Sequence, residues 1–200
     1  MRVLTKTLLA LAAALAGLPA LASDAARAEE IAQGQCFVCH GLEGESSTPI
    51  FPRLAGQHAQ YIARQLADFK SGRRASTVMA PMVRDITAAE MEALGRWYES
   101  RPVRAHPPSD PALLAQGRSI YEQGLSGRGV PACKKCHGPG GEGTEELPRL
   151  AGQHATYLEN QLRAFSKKQR TNDNALMQNI AARISDAELR AVSSYLSGLK

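Results

Sequence analysis

The sequence predicts an all-α protein made of two tandem copies of one small domain. Three observations support this prediction: a long internal repeat, apolar residues at helical spacing, and the lack of alternating β-branched runs. The 200 residues are 44% hydrophobic, 22% charged and only 5% aromatic. This composition excludes a disordered, a collagen-like and a polytopic membrane protein. Because aromatic core residues are few, domains of under about 100 residues would need a disulfide, a metal or a large cofactor for stability.

The N-terminal residues 1–22 have the pattern of a secretory signal peptide. Arg2 and Lys6 precede an apolar stretch over residues 8–18, and the sequence Ala-Leu-Ala ends at Ala22. The apolar stretch is shorter than the roughly 20 residues that a membrane-spanning helix needs. We therefore expect cleavage after Ala22 and export to the periplasm. Ala28 is a second candidate cleavage site, and an uncleaved membrane anchor is the alternative to cleavage.

The charge balance gives no indication of a nucleic-acid partner. Without residues 1–22 the chain has 22 Lys and Arg against 19 Asp and Glu. The basic residues are scattered, apart from two pairs, and aromatic residues do not alternate with them as in a nucleic-acid platform. Nucleic acid is therefore not an expected partner.

The chain after the signal peptide is a duplication. Residues 51–69 and 147–165 are identical at 12 of 19 positions, and the two C-x-x-C-H motifs repeat at an offset of 97 residues. A period of this length is too long for solenoid repeats. Residues 101–111 contain four prolines and are expected to form an extended linker. We expect an N-terminal domain over residues 23–100 and a C-terminal domain over residues 112–200.

Each copy is expected to form three helices. The first helix of each copy precedes the cysteine motif and is expected over residues 25–35 in the first copy and 112–123 in the second. The second has an apolar i, i+4, i+7 stripe, over residues 58–70 and 154–167. The third begins with a capping box at Thr87 in one copy and Ser185 in the other. Gly- and Pro-containing loops are expected over residues 41–51, 71–81 and 138–148.

Two C-x-x-C-H motifs carry the chemistry. The first motif supplies Cys36, Cys39 and His40. This spacing suits covalent haem attachment, since two thiols add to the vinyl groups of one haem and the adjacent histidine supplies an axial nitrogen. The second motif supplies the same three residue types, at Cys133, Cys136 and His137.

Three other chemistries use similar cysteine pairs. A disulfide within C-x-x-C is strained and usually redox-active. A zinc site is suggested by the C-x-x-C-x-G-x-G sequence that begins at Cys133, but the first copy lacks the second glycine. A thioredoxin-like motif would need a βαβ unit, which the helical pattern does not predict. Two C-x-x-C-H motifs in duplicated helical domains behind an export signal favour haem.

The repeat also selects candidate sixth ligands for the iron. Counting seven residues back from the isoleucine before each capping box gives Met79 and Met177. These two occupy equivalent positions in the expected loops, one for each haem. Met82 aligns with an isoleucine and is the alternative ligand for the first haem, whereas Met91 aligns with a leucine on the third helix. A thioether ligand raises the potential of a haem iron.

Other polar residues repeat without an obvious place in the ligand set. His58 and His154 lie at helix starts, where a structural or surface role is expected. Arg53 and Arg149 either pair with a haem propionate, which suits guanidinium, or are surface residues. The repeated tyrosines are expected to pack on one helix face: Tyr61 and Tyr157.

The two C-x-x-C-H motifs, the repeated P-R-L-A-G-Q-H-A block and the aligned methionines resemble the cytochrome c4 family. The resemblance covers the whole chain after residue 22. It implies two tandem class I cytochrome c domains, each wrapped around one covalent haem c with His and Met as axial ligands. It also implies that the carbonyl groups of Pro52 and Pro148 accept hydrogen bonds from the ligand histidines. The loop before Met79 only partly matches the one before Met177.

Ligation on both sides of the iron leaves no open position for a substrate, so we expect a carrier and not an enzyme. The resemblance implies a periplasmic dihaem electron carrier in a respiratory chain, working toward a terminal oxidase or another reductase. Its partners would be redox proteins, and peripheral membrane association is compatible with this role. The alternatives are a haem enzyme such as a dihaem peroxidase, or a cytochrome subunit of a membrane oxidoreductase complex.

Overall fold

The computed structural model describes residues 18–200. Residues 1–17, and with them most of the expected signal peptide, lie outside the described part. Between residues 18 and 200 the regular elements are helices, and the only bridge of β type is an isolated one between Leu125 and Val130. No helix in this part of the chain is both long and apolar enough to cross a membrane.

The described chain forms ten α-helices in two bundles. Helices of the first bundle are α1 Leu18–Ile31, α2 Phe37–His40, α3 Ala59–Ser71, α4 Met79–Val83 and α5 Ala88–Glu99. Helices of the second bundle are α6 Leu114–Gln123, α7 Lys134–His137, α8 Ala155–Ser166, α9 Leu176–Ala181 and α10 Asp186–Ser197. A π-helical turn over Ala32–Cys36 joins α1 to α2, and short 3₁₀ turns occupy Pro111–Leu113 and Ser126–Arg128.

Both bundles pack in the same way, as the duplication predicts. In the first bundle α1 and α3 both pack against α5, and α4 lies against α3. In the second, α6 and α8 pack against α10, and α9 lies against α8. Each bundle has a core of its own, formed around Leu94 and Trp97 in the first and Tyr121 and Val192 in the second.

The capping boxes that the sequence predicts are present. The Thr87 hydroxyl accepts a hydrogen bond from the backbone N–H of Glu90, whose carboxylate accepts one from the Thr87 N–H at 2.8 Å. Ser185 and Glu188 repeat the arrangement at the start of α10. The apolar stripes over residues 58–70 and 154–167 are confirmed as α3 and α8, and the strand-free all-α class is also confirmed.

One expectation about the methionine segments is wrong in detail. The loop expected over residues 71–81 ends early, because α4 begins at Met79 and includes Pro81. Proline is tolerated within the first turn of a helix, where its missing N–H has no partner to lose. Met177 likewise lies in α9 and not in a loop.

The proline-containing connection between the bundles is extended and is held in place by hydrogen bonds. Residues 101–110 contain no helix, and the 3₁₀ turn starts at Pro111. The Asp110 N–H donates to the Ser194 hydroxyl at 2.8 Å, which fixes this end of the connection to α10. Nearer its start, the Arg104 N–H donates to the carboxylate of Glu45 at 3.3 Å. The connection is thus bound to both bundles.

Gly117 allows α6 and α10 to cross at close range. A Cβ atom at this position would lie 2.1 Å from the carbonyl oxygen of Ala191, which is backbone and cannot rotate away. We therefore predict that Gly117→Ala lowers the free energy of unfolding by about 1–3 kcal/mol, the usual range for overpacking. Denaturant unfolding of the holoprotein, followed by far-ultraviolet circular dichroism, measures this change.

Gly127→Ala is the matched control, since a Cβ atom there meets nothing within 4 Å. It should change the free energy of unfolding by less than about 1 kcal/mol. Equal effects of the two substitutions would contradict the close helix crossing.

Candidate functional site

The first C-x-x-C-H motif places its histidine in the interior. His40 ends α2 and is 6% exposed. Its Nδ1–H donates to the carbonyl oxygen of Pro52 at 2.9 Å. Because a carbonyl only accepts, this bond fixes the tautomer and leaves Nε2 to bind a metal. Burial lowers the pKa of the His40 ring, which keeps the imidazole neutral as a metal ligand must be.

The second motif repeats this geometry. His137 ends α7, is 8% exposed, and donates from Nδ1 to the carbonyl oxygen of Pro148 at 3.1 Å. Burial lowers the pKa of this ring as well. The two proline carbonyls are thus in the positions that the resemblance implies.

None of the four cysteines forms a disulfide with another cysteine. Burial raises the pKa of the Cys36 thiol, and it raises that of Cys133 to about 11. Reactive redox cysteines have lowered pKa values, so these thiols do not have the environment of a thioredoxin-like site. They suit thioether attachment, in which each sulfur would be bonded to a carbon atom of the haem.

The donor set fits haem better than zinc. Within residues 18–200, no group of three or more His, Cys, Asp or Glu side chains is placed to bind one metal ion. A structural zinc site needs four such ligands. Two thiols and one buried histidine on a short helix are instead the set that a covalent haem uses.

The candidate methionines differ in exposure. Met79 is half-buried and packs against the core of the first bundle. Met177 is half-buried at the same position in the second bundle. Met82 is 38% exposed, and its backbone carbonyl accepts a hydrogen bond from Gln35. Met91 is 4% exposed within α5, as the alignment with leucine predicts.

Arg53 and Arg149 are half-buried. The Nε atoms of both are buried and make no hydrogen bond among residues 18–200, although the Nε of Arg53 lies 3.6 Å from a carboxylate oxygen of Glu45. Burial lowers the pKa of both guanidinium groups, and Glu45 and Glu142 partly offset this. Two equivalent, buried N–H donors without an acceptor fit the propionate carboxylates of a haem.

His58 and His154 have structural roles and join the two bundles. Each stands at the start of a helix, α3 or α8. The Nε2 of His58 lies 2.7 Å from the carbonyl oxygen of Glu142, and that of His154 lies 2.7 Å from that of Ser46. Both bonds cross from one bundle to the other, so these histidines are engaged away from the C-x-x-C-H helices.

Two glutamines form a reciprocal pair at the same interface. The Gln57 amide donates to the carbonyl of Arg149 at 2.9 Å and accepts from the N–H of Arg149 at 2.8 Å. Gln153 makes the same two bonds to the backbone of Arg53, at 2.9 and 2.8 Å. The side-chain amide of each glutamine therefore pairs with the backbone N–H and C=O of one residue in the other bundle, as a neighbouring strand would.

Sequence reasoning missed these interface residues, although a signal was present. Gln57 and Gln153 occupy equivalent positions in the two copies of the P-R-L-A-G-Q-H-A block. Arg74 and Arg170 also repeat, at an offset of 96 residues, and both are buried. A buried polar residue retained in both copies indicates a hydrogen-bond partner, and here the partner is in the other copy.

Comparison with known proteins agrees with this geometry. The family model described as Cytochrome c matches residues 25–99 and 114–200. The cytochrome c4 of Thiocapsa roseopersicina is 45% identical over 180 residues, which cover 88% of this chain and 93% of that protein. A thiosulfate dehydrogenase electron acceptor of Thiomonas intermedia (strain K12) is 38% identical over 167 residues, covering 81% and 77%.

A solved structure has the same overall arrangement. The crystal structure of reduced recombinant cytochrome c4 from Pseudomonas stutzeri superimposes with a TM-score of 0.81 at 36% sequence identity. The superposition covers 86% of this chain and 98% of that chain. The similarity therefore extends over both bundles together.

The glutamine pair generates a prediction about the interface. Gln57→Leu removes two hydrogen bonds and leaves the N–H and C=O of Arg149 without partners, which costs about 1–3 kcal/mol for each buried group. We predict faster amide hydrogen exchange at Arg149 and a lower free energy of unfolding. Hydrogen exchange with mass spectrometry measures the first effect.

Gln60→Leu is the control, because Gln60 is exposed and its amide contacts only the Glu145 carboxylate across the interface. Its effect on the free energy of unfolding should stay within about 0.5 kcal/mol. If Gln57→Leu were equally mild, the glutamine pair would not hold the bundles together.

Proposed function

The chain belongs to the cytochrome c family, in its cytochrome c4 branch, and we propose that it is a periplasmic electron carrier of a respiratory chain. Members of this branch are dihaem electron carriers, and two C-x-x-C-H motifs give this chain two covalent haem c groups. The observation that carries the proposal is the repeated histidine geometry. Both rings are buried, and both are oriented through Nδ1 by a proline carbonyl.

We assign the ligands residue by residue. Cys36 and Cys39 form the thioethers of the first haem, and His40 and Met79 bind its iron. The corresponding residues for the second haem are Cys133, Cys136, His137 and Met177. The proposed domains extend over residues 23–100 and 112–200, with residues 101–111 between them.

The residues around each haem favour electron transfer over substrate chemistry. Each haem, when bound, supplies an iron that gains and loses one electron. His40 is held by Pro52 and Met79 is packed on the core, so neither ligand has to move when the charge changes. With histidine and methionine both bound to the iron, no coordination position would remain for peroxide or another substrate. A dihaem peroxidase would need one ligand that leaves.

The proposed location and partners rest on different observations. The signal-peptide pattern over residues 1–22 supports the periplasm. The donor is a respiratory redox protein and the acceptor a terminal oxidase or another reductase. One similar protein is named a thiosulfate dehydrogenase electron acceptor, which makes a dehydrogenase a candidate donor.

The two proposed domains differ in net charge. Residues 112–200 contain 12 Lys and Arg against 8 Asp and Glu, whereas residues 23–100 contain 8 against 10. Lys134 and Lys135 are exposed beside the second pair of cysteines, where the first motif has Phe37 and Val38. An acidic redox partner is therefore attracted to the second domain.

The ligand assignment predicts the effect of two substitutions. Met79→His should lower the potential of the first haem only, and Met177→His that of the second only. Nitrogen replaces sulfur in each case, and axial ligands set haem potentials across a range of about 0.8 V. A redox titration monitored by visible spectra measures both potentials, and each variant should lose half of the sulfur-to-iron charge-transfer band.

Met82→Leu is the control for the first haem and should leave the band unchanged. If the band stayed complete in Met79→His and decreased in Met82→Leu, Met82 would be the ligand. If peroxide turnover accompanied a missing band in the unmodified protein, the carrier proposal would be wrong.

Lys134 and Lys135 should raise the potential of the second haem, because nearby positive charge disfavours the oxidised iron. Solvent and salt screen these exposed groups, so the effect is modest, on the order of tens of millivolts at low salt. Replacing both lysines with Gln should lower the second potential and reduce its salt dependence. Unchanged potentials at low salt would mean that burial or propionate contacts set the difference between the haems.

A further inference from the structure

The two segments that lead into the methionines each contact the opposite bundle. We call them the first methionine loop, residues 72–78, and the second methionine loop, residues 167–175. Arg74 of the first loop is 8% exposed. Its guanidinium donates to the Tyr157 hydroxyl at 3.0 Å and to the Gln161 amide oxygen at 2.7 Å, and both acceptors are on α8 of the second bundle.

The second methionine loop makes the reciprocal contacts. Arg170 is 9% exposed and donates to the Tyr61 hydroxyl at 3.0 Å and to the Gln65 amide oxygen at 3.1 Å, both on α3 of the first bundle. The guanidinium also lies 4.5 Å from the centre of the Phe165 ring. Each loop is thus anchored by an arginine whose partners belong partly to the other bundle.

Asp68 makes the two methionine loops differ in their contacts with the opposite bundle. Its side chain is 2% exposed, and one carboxylate oxygen accepts a hydrogen bond from Asn172 of the second methionine loop at 2.6 Å. The other oxygen accepts from Arg73 at 2.8 Å. The position equivalent to Asp68 in the second bundle is Ala164, so the first loop receives no such anchor from that position.

The loop that receives the extra anchor is also the one that needs it more. Six residues separate Arg170 from Met177, but only four separate Arg74 from Met79. The longer loop passes through Asn174 at φ 52° and Ala175 at φ 64°, a left-handed conformation that is unfavourable for residues with a Cβ atom.

We propose that each methionine loop is positioned by the opposite bundle, and that Asp68 is a positioning residue for Met177 across the interface. The inference rests on the proposed role of Met177 as an axial ligand. Asn172 is five residues before Met177, and its amide is fixed on a buried carboxylate of α3. A change in the first bundle therefore acts on the ligand of the second haem.

The test is Asp68→Ala in the full-length holoprotein, combined with each methionine substitution. In a Met79→His background the remaining sulfur-to-iron band reports Met177 alone, and in a Met177→His background it reports Met79 alone. We expect Asp68→Ala to lower the temperature at which the Met177 band disappears by more than that of the Met79 band, because the Arg73 side chain that loses the same carboxylate is 66% exposed. A purely local role of Asp68 would affect Met79, because both belong to the first bundle.

Amide hydrogen exchange provides a second readout. With Asp68→Ala, exchange in residues 172–177 should become faster by about tenfold, as expected when a hydrogen bond to a charged group is lost. Asn172→Ala removes the other partner of this bond, together with its contacts to Gln65 and Arg170, and should give changes at least as large. Adding Asp68→Ala to Asn172→Ala should change little further.

Arg73→Gln is the matched control. Arg73 binds the same carboxylate but belongs to the first loop, so its loss should not change the Met177 band or the exchange of residues 172–177. Equal sensitivity of both bands to Asp68→Ala, or no sensitivity of the Met177 band, would overturn the proposal. A Met79→His protein that has no sulfur-to-iron band would instead show that the ligand assignment itself is wrong.

Discussion

The hydrogen bond from each proposed ligand histidine to a proline carbonyl is the constraint on which the candidate sites depend. His40 and His137 sit at the ends of very short helices, which by themselves would leave the imidazole rings free to rotate. The carbonyl groups of Pro52 and Pro148 hold Nδ1 and leave Nε2 available to bind a metal. Burial keeps the rings neutral, so the same contact that orients each ring also suits it to metal binding.

The prolines belong to the same repeated block as the residues that join the two bundles. In the first copy, Pro52 is followed directly by Arg53, and Gln57 lies four residues further along. One short segment therefore orients a histidine through a carbonyl and binds the opposite bundle through an amide. Any movement between the bundles would strain this segment, which is why we regard the two haem sites as parts of one unit and not as two linked modules.

The sequence was sufficient for the parts of the fold that depend on local patterns. The capping boxes at Thr87 and Ser185 and the apolar stripes of α3 and α8 involve residues within a few positions of each other, and all are present. The start of α4 at Met79 was not predicted, because the glycine and proline nearby favour a loop on local grounds. The left-handed backbone at Ala175 has no signal in residue type either, since alanine rarely adopts it.

Contacts across the interface lie beyond local pattern analysis, since the residues are about one repeat apart. The repeat shows that Arg74 and Arg170 are equivalent, but it does not show that each binds the other copy.

The electron-carrier function depends on His and Met ligation of both irons. A redox titration of the holoprotein, followed by visible and electron paramagnetic resonance spectra, is the decisive measurement. His and Met ligation predicts two one-electron steps, low-spin iron in both oxidation states and a sulfur-to-iron band from two methionine ligands. High-spin iron at either haem would show that one of these ligands is missing.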